Sequence, residues 1–202
     1  MELMTQPAIA NLVVEITNIE APFLETFIKD FNKSYNAVIY DDSENNEQFC
    51  SDEALTNILK TPDSFPDLQI AKDNKLNKIG NLDSQLLKKY NAKFMYFLQT
   101  KFPNCSIVLA GEFVYPKNGY MGWHTNANTP YLRCYMTYSK NGDSYFKYRD
   151  PYTKEIIVSK DSTGWTMRYF KISNQTDTFL WHCVYSNTTR ISLGYRIINN
   201  LI

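Results

Sequence analysis

The sequence predicts a mainly β protein with some helix: an eight-stranded double-sheet jelly roll with N-terminal helices buttressing it. Three observations predict this fold. From Ile107 onward the chain breaks into eight short β-like runs separated by turn signals. Runs of this length and regular spacing close into a sandwich or barrel, and eight of them fit the double-sheet jelly roll. Apolar residues at helical spacing are confined to the first half of the chain.

Taken in order, Leu12 to Ile16 reads as a strand. Pro22 then suits the first turn of a helix that presents Phe23, Phe27, Ile28 and Phe31 on one side. Residues 41–81 are polar and broken by prolines, so they read as loops with a short helix near Asp52–Leu59. Asp83 or Ser84 caps a longer helix whose stripe is Leu87, Tyr90, Phe94, Phe97 and Leu98, ending before Pro103. The eight β runs fall at roughly 107–115, 121–126, 131–139, 145–150, 155–161, 165–172, 178–185 and 190–197. Between them lie Lys-Asn-Gly, Asn-Thr-Pro, Asp-Pro, Ser-Thr-Gly and similar turn formers. The expected architecture is cupin-like. Residues 1–202 form a single domain, in which 1–104 supports a jelly-roll core at 105–198.

Composition narrows the function classes. The 202 residues are 44% hydrophobic, enough to bury a real core. Basic and acidic residues balance at 21 each, so neither a nucleic acid nor a membrane surface has left an electrostatic footprint. The four cysteines, Cys50, Cys105, Cys134 and Cys183, form no C-x-x-C pair and read as reduced thiols. The N-terminus shows no basic-then-apolar leader, and no apolar run is long enough to span a bilayer. A soluble cytoplasmic protein is the expectation.

The chain has two histidines, and both fall on predicted strands. Residues two apart on a strand share a face, so His124 points with Asn126, and Arg190 with Ser192. His182 shares its face with Leu180 and Val184. If these faces line the inside of one jelly roll, five polar groups converge in an apolar funnel, the composition of a ligand pocket. Two imidazoles suit Fe(II), for which two His and a carboxylate leave three positions open. A dicarboxylate such as 2-oxoglutarate needs a permanent cation, which Arg190 supplies as a planar fork beside the Ser192 hydroxyl. Taken alone, a histidine on a strand is more often a hydrogen-bonded core residue. The joint pattern is what favours a site.

The segment Val-Tyr-Pro-Lys-Asn-Gly-Tyr-Met-Gly-Trp-His-Thr-Asn at 114–126 resembles the strand and ligand loop of prolyl-hydroxylase-like 2-oxoglutarate/Fe(II)-dependent dioxygenases, where Tyr-Pro-x-x-Gly leads into His-x-Asp. Trp-His-Cys-Val at 181–184 is similar to their distal histidine segment, and Arg190 to Arg196 to their cosubstrate strand. The run also resembles uncharacterised phage-encoded members of that superfamily, which would place the protein in a host cytoplasm. The likeness covers about residues 105–198. It implies a hydroxylase acting on an aliphatic C–H of a peptide or protein side chain or a small molecule. Such an enzyme consumes 2-oxoglutarate and O2 and releases succinate and CO2. It implies His124, Asn126 and His182 at the metal, with Arg190, Ser192, Tyr115 and Tyr138 (or Tyr135) on the cosubstrate.

Asn126 departs from the pattern, because the family has a carboxylate there. Three readings follow. Asn126 is a weak neutral ligand, or it leaves a position open for an exogenous anion, or it marks a degenerate site in a non-enzymatic binding or virion-associated jelly-roll module. Asp143 or Asp150 could supply the missing carboxylate, though no spacing supports it. Trp123 and Trp181 point away from the ligand face, and Trp165 is a candidate pocket wall. Arg133, Arg168 and Arg196 read as solvated or salt-bridged, with a substrate contact as the rarer outcome.

Overall fold

The computed structural model describes residues 12–35, 46–60, 77–78 and 80–199. The readings of the N-terminal residues 1–11 and of the loops at 36–45 and 61–76 lie outside them. In chain order the elements are β1 (Val13–Ile16), α1 (Pro22–Ser34), α2 (Asp52–Leu59), β2 (Asn77–Lys78), β3 (Gly80–Asn81), α3 (Ser84–Lys101), β4 (Cys105–Tyr115) and β5 (Gly119–His124). They continue with β6 (Leu132–Ser139), β7 (Ser144–Arg149), β8 (Ile156–Lys160), β9 (Gly164–Lys171), β10 (His182–Ser186) and β11 (Arg190–Asn199). One 3-10 turn, Asn46–Cys50, precedes α2, and another, Thr176–Thr178, precedes β10.

From β4 onward the chain passes repeatedly between two antiparallel sheets. One has the order β1-β9-β6-β11-β4-β3 and the other β2-β5-β10-β7-β8. The eight strands β4 to β11 thus divide four and four, which is the double-sheet jelly roll the turn spacing predicts. The main shift is in the seventh strand. It starts at His182 and not near 178, because Thr176–Thr178 coils into the 3-10 turn.

Three apolar layers hold the sheets. Between them lie Tyr115, Met121, Phe146, Phe170, Leu180 and Val184. On the outer face of the six-stranded sheet, α1 and α3 bury Leu24, Phe27, Tyr90, Phe94 and Leu98 against Met136, Trp165, Ile191, Leu193 and Tyr195. Edge-to-face packing of Phe27 on Tyr90 and Phe94 locks the two helices together. The third layer covers the other sheet, where Cys50 and Leu55 meet Tyr120, Trp123, Trp181 and Cys183. This explains why every residue of β5 and β10 is buried: both their faces are covered.

Pro22 opens α1 as expected, and Asp83 caps α3 by accepting from the backbone N–H of Gln85 and Leu86. The buried stripe of α3 is Leu86, Tyr90, Phe94 and Leu98, a strict fourfold spacing, with Leu87 and Phe97 on its flanks. Asp83→Ala is expected to lower stability by about 1 kcal/mol, the usual cost of losing an N-cap, as a shift in the urea midpoint at unchanged slope. The four cysteines form no disulfide. Among the described residues no helix is long and apolar enough to cross a membrane.

Candidate functional site

The two histidines meet between the sheets. β5 and β10 pair so that His124 lies opposite His182 and Met121 opposite Val184. Two residues, Gly122 and Trp123, therefore stand against Cys183 alone, a bulge on β5. The bulge brings Met121 and His124, three apart, onto the same inner face, while Trp123 turns outward and donates its indole N–H to the Ser51 carbonyl at 2.8 Å. The imidazole centroids are 4.2 Å apart, and both residues are buried.

Each ring is oriented in the same way. His124 Nδ1 lies 2.8 Å from the carbonyl oxygen of Gly122, and His182 Nδ1 lies 2.9 Å from that of Leu180. A carbonyl only accepts, so each Nδ1 carries a proton, and in the neutral ring Nε2 keeps its lone pair. Burial, and after it the neighbouring His124, hold the His182 pKa well below the ordinary histidine range, so this ring is neutral. Neutral imidazoles tethered through Nδ1–H are the form in which histidine binds metals.

Asn126 lies just past the end of β5, and its amide nitrogen is 3.2 Å from His182 Nε2. With His182 neutral, that nitrogen donates to the Nε2 lone pair, and it also donates to the Tyr135 hydroxyl at 3.3 Å. The three expected metal residues thus come together at one end of a cavity of about 40 Å³. Its walls also include Phe113, Tyr115, Met121, Arg133, Tyr135, Val184 and Ser192. Gly111 and Gly194 form part of its floor. A Cβ on Gly194 would stand 3.2 Å from the Tyr135 ring, so this glycine makes room for that side chain.

Arg190 is not among the lining residues. Its guanidinium packs 5.0 Å from the centre of the Tyr115 ring, which does line the cavity. Its Nε donates to Asp161 at 2.8 Å, its Nη2 reaches Thr137 Oγ1 at 3.4 Å, and its Nη1 is buried with no acceptor. Asp161 also pairs with Arg168 and accepts from the Ser144 hydroxyl at 2.6 Å, and Arg168 pairs in turn with Glu15 at 2.8 Å. Burial alone would raise the Asp161 pKa. The fields of Arg190 and Arg168 and the Ser144 hydrogen bond overcome it and hold the carboxyl down at about 2. Burial pushes the Tyr115 phenol well above its ordinary range, so it remains a hydrogen-bonding hydroxyl.

Some expectations need correction. Tyr138 does not reach the cavity. On β6 the inward positions are Arg133, Tyr135 and Thr137, and Tyr138 has the opposite parity. It packs on Trp165 among the helix-facing residues, leaving Tyr135 as the tyrosine of this strand in the site. Trp165 likewise packs on Phe27 and Phe94 and does not line the histidine cavity. Asp150 caps its own turn through the backbone N–H of Tyr152 and Thr153, and neither it nor Asp143 lines the cavity. Among the described residues there is no cluster of three or more His, Cys, Asp and Glu, because an asparagine stands in the third place. Arg133 is buried and not solvated, whereas Arg168 is salt-bridged, to Glu15 and Asp161. Strand parity places Arg133 with Tyr135, and Arg196 with Arg190 and Ser192, so their inward direction was visible in the sequence. The Asp161 partnership was not, because it joins β8 to β11 through the fold alone.

No protein-family model matches the chain, and no curated protein matches it. Among solved structures it is similar to an oxidoreductase of the 2OG-Fe(II) oxygenase family from Burkholderia pseudomallei, at 16% identity over 57% of each chain with a TM-score of 0.39. The chain therefore spans 57% of the length of that protein. It is also similar to the viral collagen prolyl hydroxylase vCPH from Paramecium Bursaria Chlorella virus-1, in complex with 2OG. That likeness has 14% identity over 82% of this chain and 97% of the other, with a TM-score of 0.37. A third likeness, to a carbohydrate-binding module of Cellvibrio mixtus lichenase 5A in complex with cellotriose, has 15% identity over 48% of this chain and 87% of the other, with a TM-score of 0.26. What defines the jelly roll here is its own strand order, β9-β6-β11-β4 against β5-β10-β7-β8.

Proposed function

We propose that the protein is a 2-oxoglutarate- and Fe(II)-dependent oxygenase. The observation that carries this reading is the pair of Nδ1-tethered imidazoles converging with Asn126 inside the barrel. The donor set fits a divalent metal: two Nε2 lone pairs, and an amide that offers its oxygen by turning over. His124, His182 and Asn126 would hold the ion. The orphaned Arg190 Nη1, with Ser192 at the cavity wall, is the group left to receive the distal carboxylate of 2-oxoglutarate. When bound, iron with its cosubstrate supplies the oxidising power for hydroxylation of an aliphatic C–H, with succinate and CO2 as co-products. The chain's own residues orient the ligands and exclude water, through Phe113, Met121, Phe146 and Val184 around the histidines. A peptide or protein side chain, or a small molecule, is the substrate class in this reading.

One observation favours a second reading, a non-enzymatic jelly-roll binding module. His182 and Arg190 each have a partner without any ligand: Asn126 satisfies His182, and Asp161 pairs with Arg190. The cavity is also small, about 40 Å³. One assay separates the readings. Anaerobic addition of Fe(II) and 2-oxoglutarate is expected to give a weak visible charge-transfer band, lost in His182→Ala and weakened in Arg190→Ala. No band, together with no succinate formed, would leave the binding module.

A further inference from the structure

We propose that Arg133, with Arg196 beside it, forms a carboxylate-binding subsite of the histidine cavity, and that the carboxylate belongs to the substrate. Arg133 is 6% exposed and lines the cavity with His124, Asn126, Tyr135 and His182. One guanidinium nitrogen is held by Thr129 through the carbonyl and the hydroxyl, both neutral acceptors. Its Nε is buried with no acceptor at all. The cross-strand neighbour of Arg133 on β11 is Arg196, a second cation, whose Nε is also buried without an acceptor. Among the described residues no carboxylate pairs with either arginine.

The other two buried arginines show how unusual this is. Arg168 and Arg190 share Asp161, and Arg168 also holds Glu15. Like charges set directly opposite one another across a sheet are unfavourable, and a buried cation without a counter-ion more so. A protein that neutralises one arginine pair and leaves the other, whose Arg133 lines the cavity, without a counter-ion has left a place for an anion. The guanidinium fork matches a carboxylate in shape as well as charge. The site already has Arg190 and Ser192 for a cosubstrate, so this second cationic position fits a carboxylate on the molecule being oxidised. That last step rests on the oxygenase reading; the subsite itself does not, because it needs no metal.

The test is thermal unfolding of the chelator-treated protein at fixed ionic strength, against N-acetylglycine, its neutral amide and 2-oxoglutarate. N-acetylglycine is expected to raise the midpoint and the amide is not. Arg133→Met should abolish this shift while leaving the unliganded protein at least as stable as before, since it removes an unpaired buried charge. Arg133→Lys keeps the charge without the fork, and should weaken binding about tenfold without eliminating it. If only the 2-oxoglutarate shift depends on Arg133, the subsite stands and its carboxylate is the cosubstrate's. The subsite is overturned if no carboxylate shift depends on Arg133. It is overturned equally if Arg133→Met destabilises the unliganded protein, which would make Arg133 a structural brace. Because no iron is present, a failed charge-transfer assay would leave the subsite standing.

Discussion

Asp161→Asn is expected to destabilise the protein by about 3–5 kcal/mol, the penalty for stripping the partner from a buried charge. The variant keeps the volume and a hydrogen bond for Ser144, but Arg168 then has Glu15 as its one remaining carboxylate partner and Arg190 has none. Chemical denaturation of the variant should show the loss directly. Adding Arg168→Met to the variant should recover part of it, since one of the stranded charges is then gone. The same carboxylate sets an acid limit. Its folded pKa of about 2 lies below the ordinary aspartate value of 3.8, so its contribution is fully present above about pH 4 and is lost as pH falls through about 2. The difference corresponds to about 2 kcal/mol, and Asp161→Asn should flatten this part of the stability–pH curve. A variant as stable as the wild type would mean that the three charged groups are not the internal brace their burial implies.

Asn126→Asp is expected to have opposite effects with and without metal. In the metal-free protein the amide donates to His182 Nε2 and to Tyr135. A carboxylate has no proton to give, and its charge would face a lone pair, so this variant should lose about 1–3 kcal/mol of stability in the presence of a chelator. With a divalent ion the sign reverses, because an anionic ligand replaces a neutral one. Affinity for Mn(II), measured by calorimetry under argon, should rise about tenfold or more, equivalent to ~1.4 kcal/mol. If neither quantity changes, Asn126 is not turned toward a metal position. The asparagine is thus the residue that satisfies His182 in the metal-free site, and a carboxylate would not.

The legible and illegible parts of this molecule divide along a physical line. Turn chemistry is local, so the eight strands, the Pro22 start of α1 and the Asp83 cap could be read from neighbouring residues. Side-chain direction is local too where a strand is regular: Ser192 lines the cavity, while Arg190, of the same parity on β11, turns to Asp161 beside it. Parity over three residues separates Tyr135 from Tyr138, and it favours the first. Two features resist such reading. The bulge at Gly122–Trp123 resets the parity of β5 and is visible only in its pairing with β10. Asp161 ends a half-exposed strand and gives no local sign that its carboxylate turns inward to meet Arg168 and Arg190. Charge pairing between distant strands is decided by the fold, and so the identity of Arg190's partner was open until the sheets were assembled.

Gly111 and Gly194 face each other across β4 and β11, under the Tyr135 ring. Part of the cavity floor is therefore bare main chain, and its size is set by two missing methyl groups. This makes capacity adjustable without touching any polar group in the site. At Gly194 an added Cβ would meet Tyr135 at 3.2 Å, and at Gly111 it would meet the Phe113 ring at 2.9 Å, so either alanine pushes an aromatic ring. Conversely, trimming Tyr135 or Phe113 would leave a backbone-floored chamber with the histidines at its rim. The positions that govern which molecules fit are thus distinct from those that would bind them, and selectivity can drift by single carbon atoms while the chemistry stays where it is.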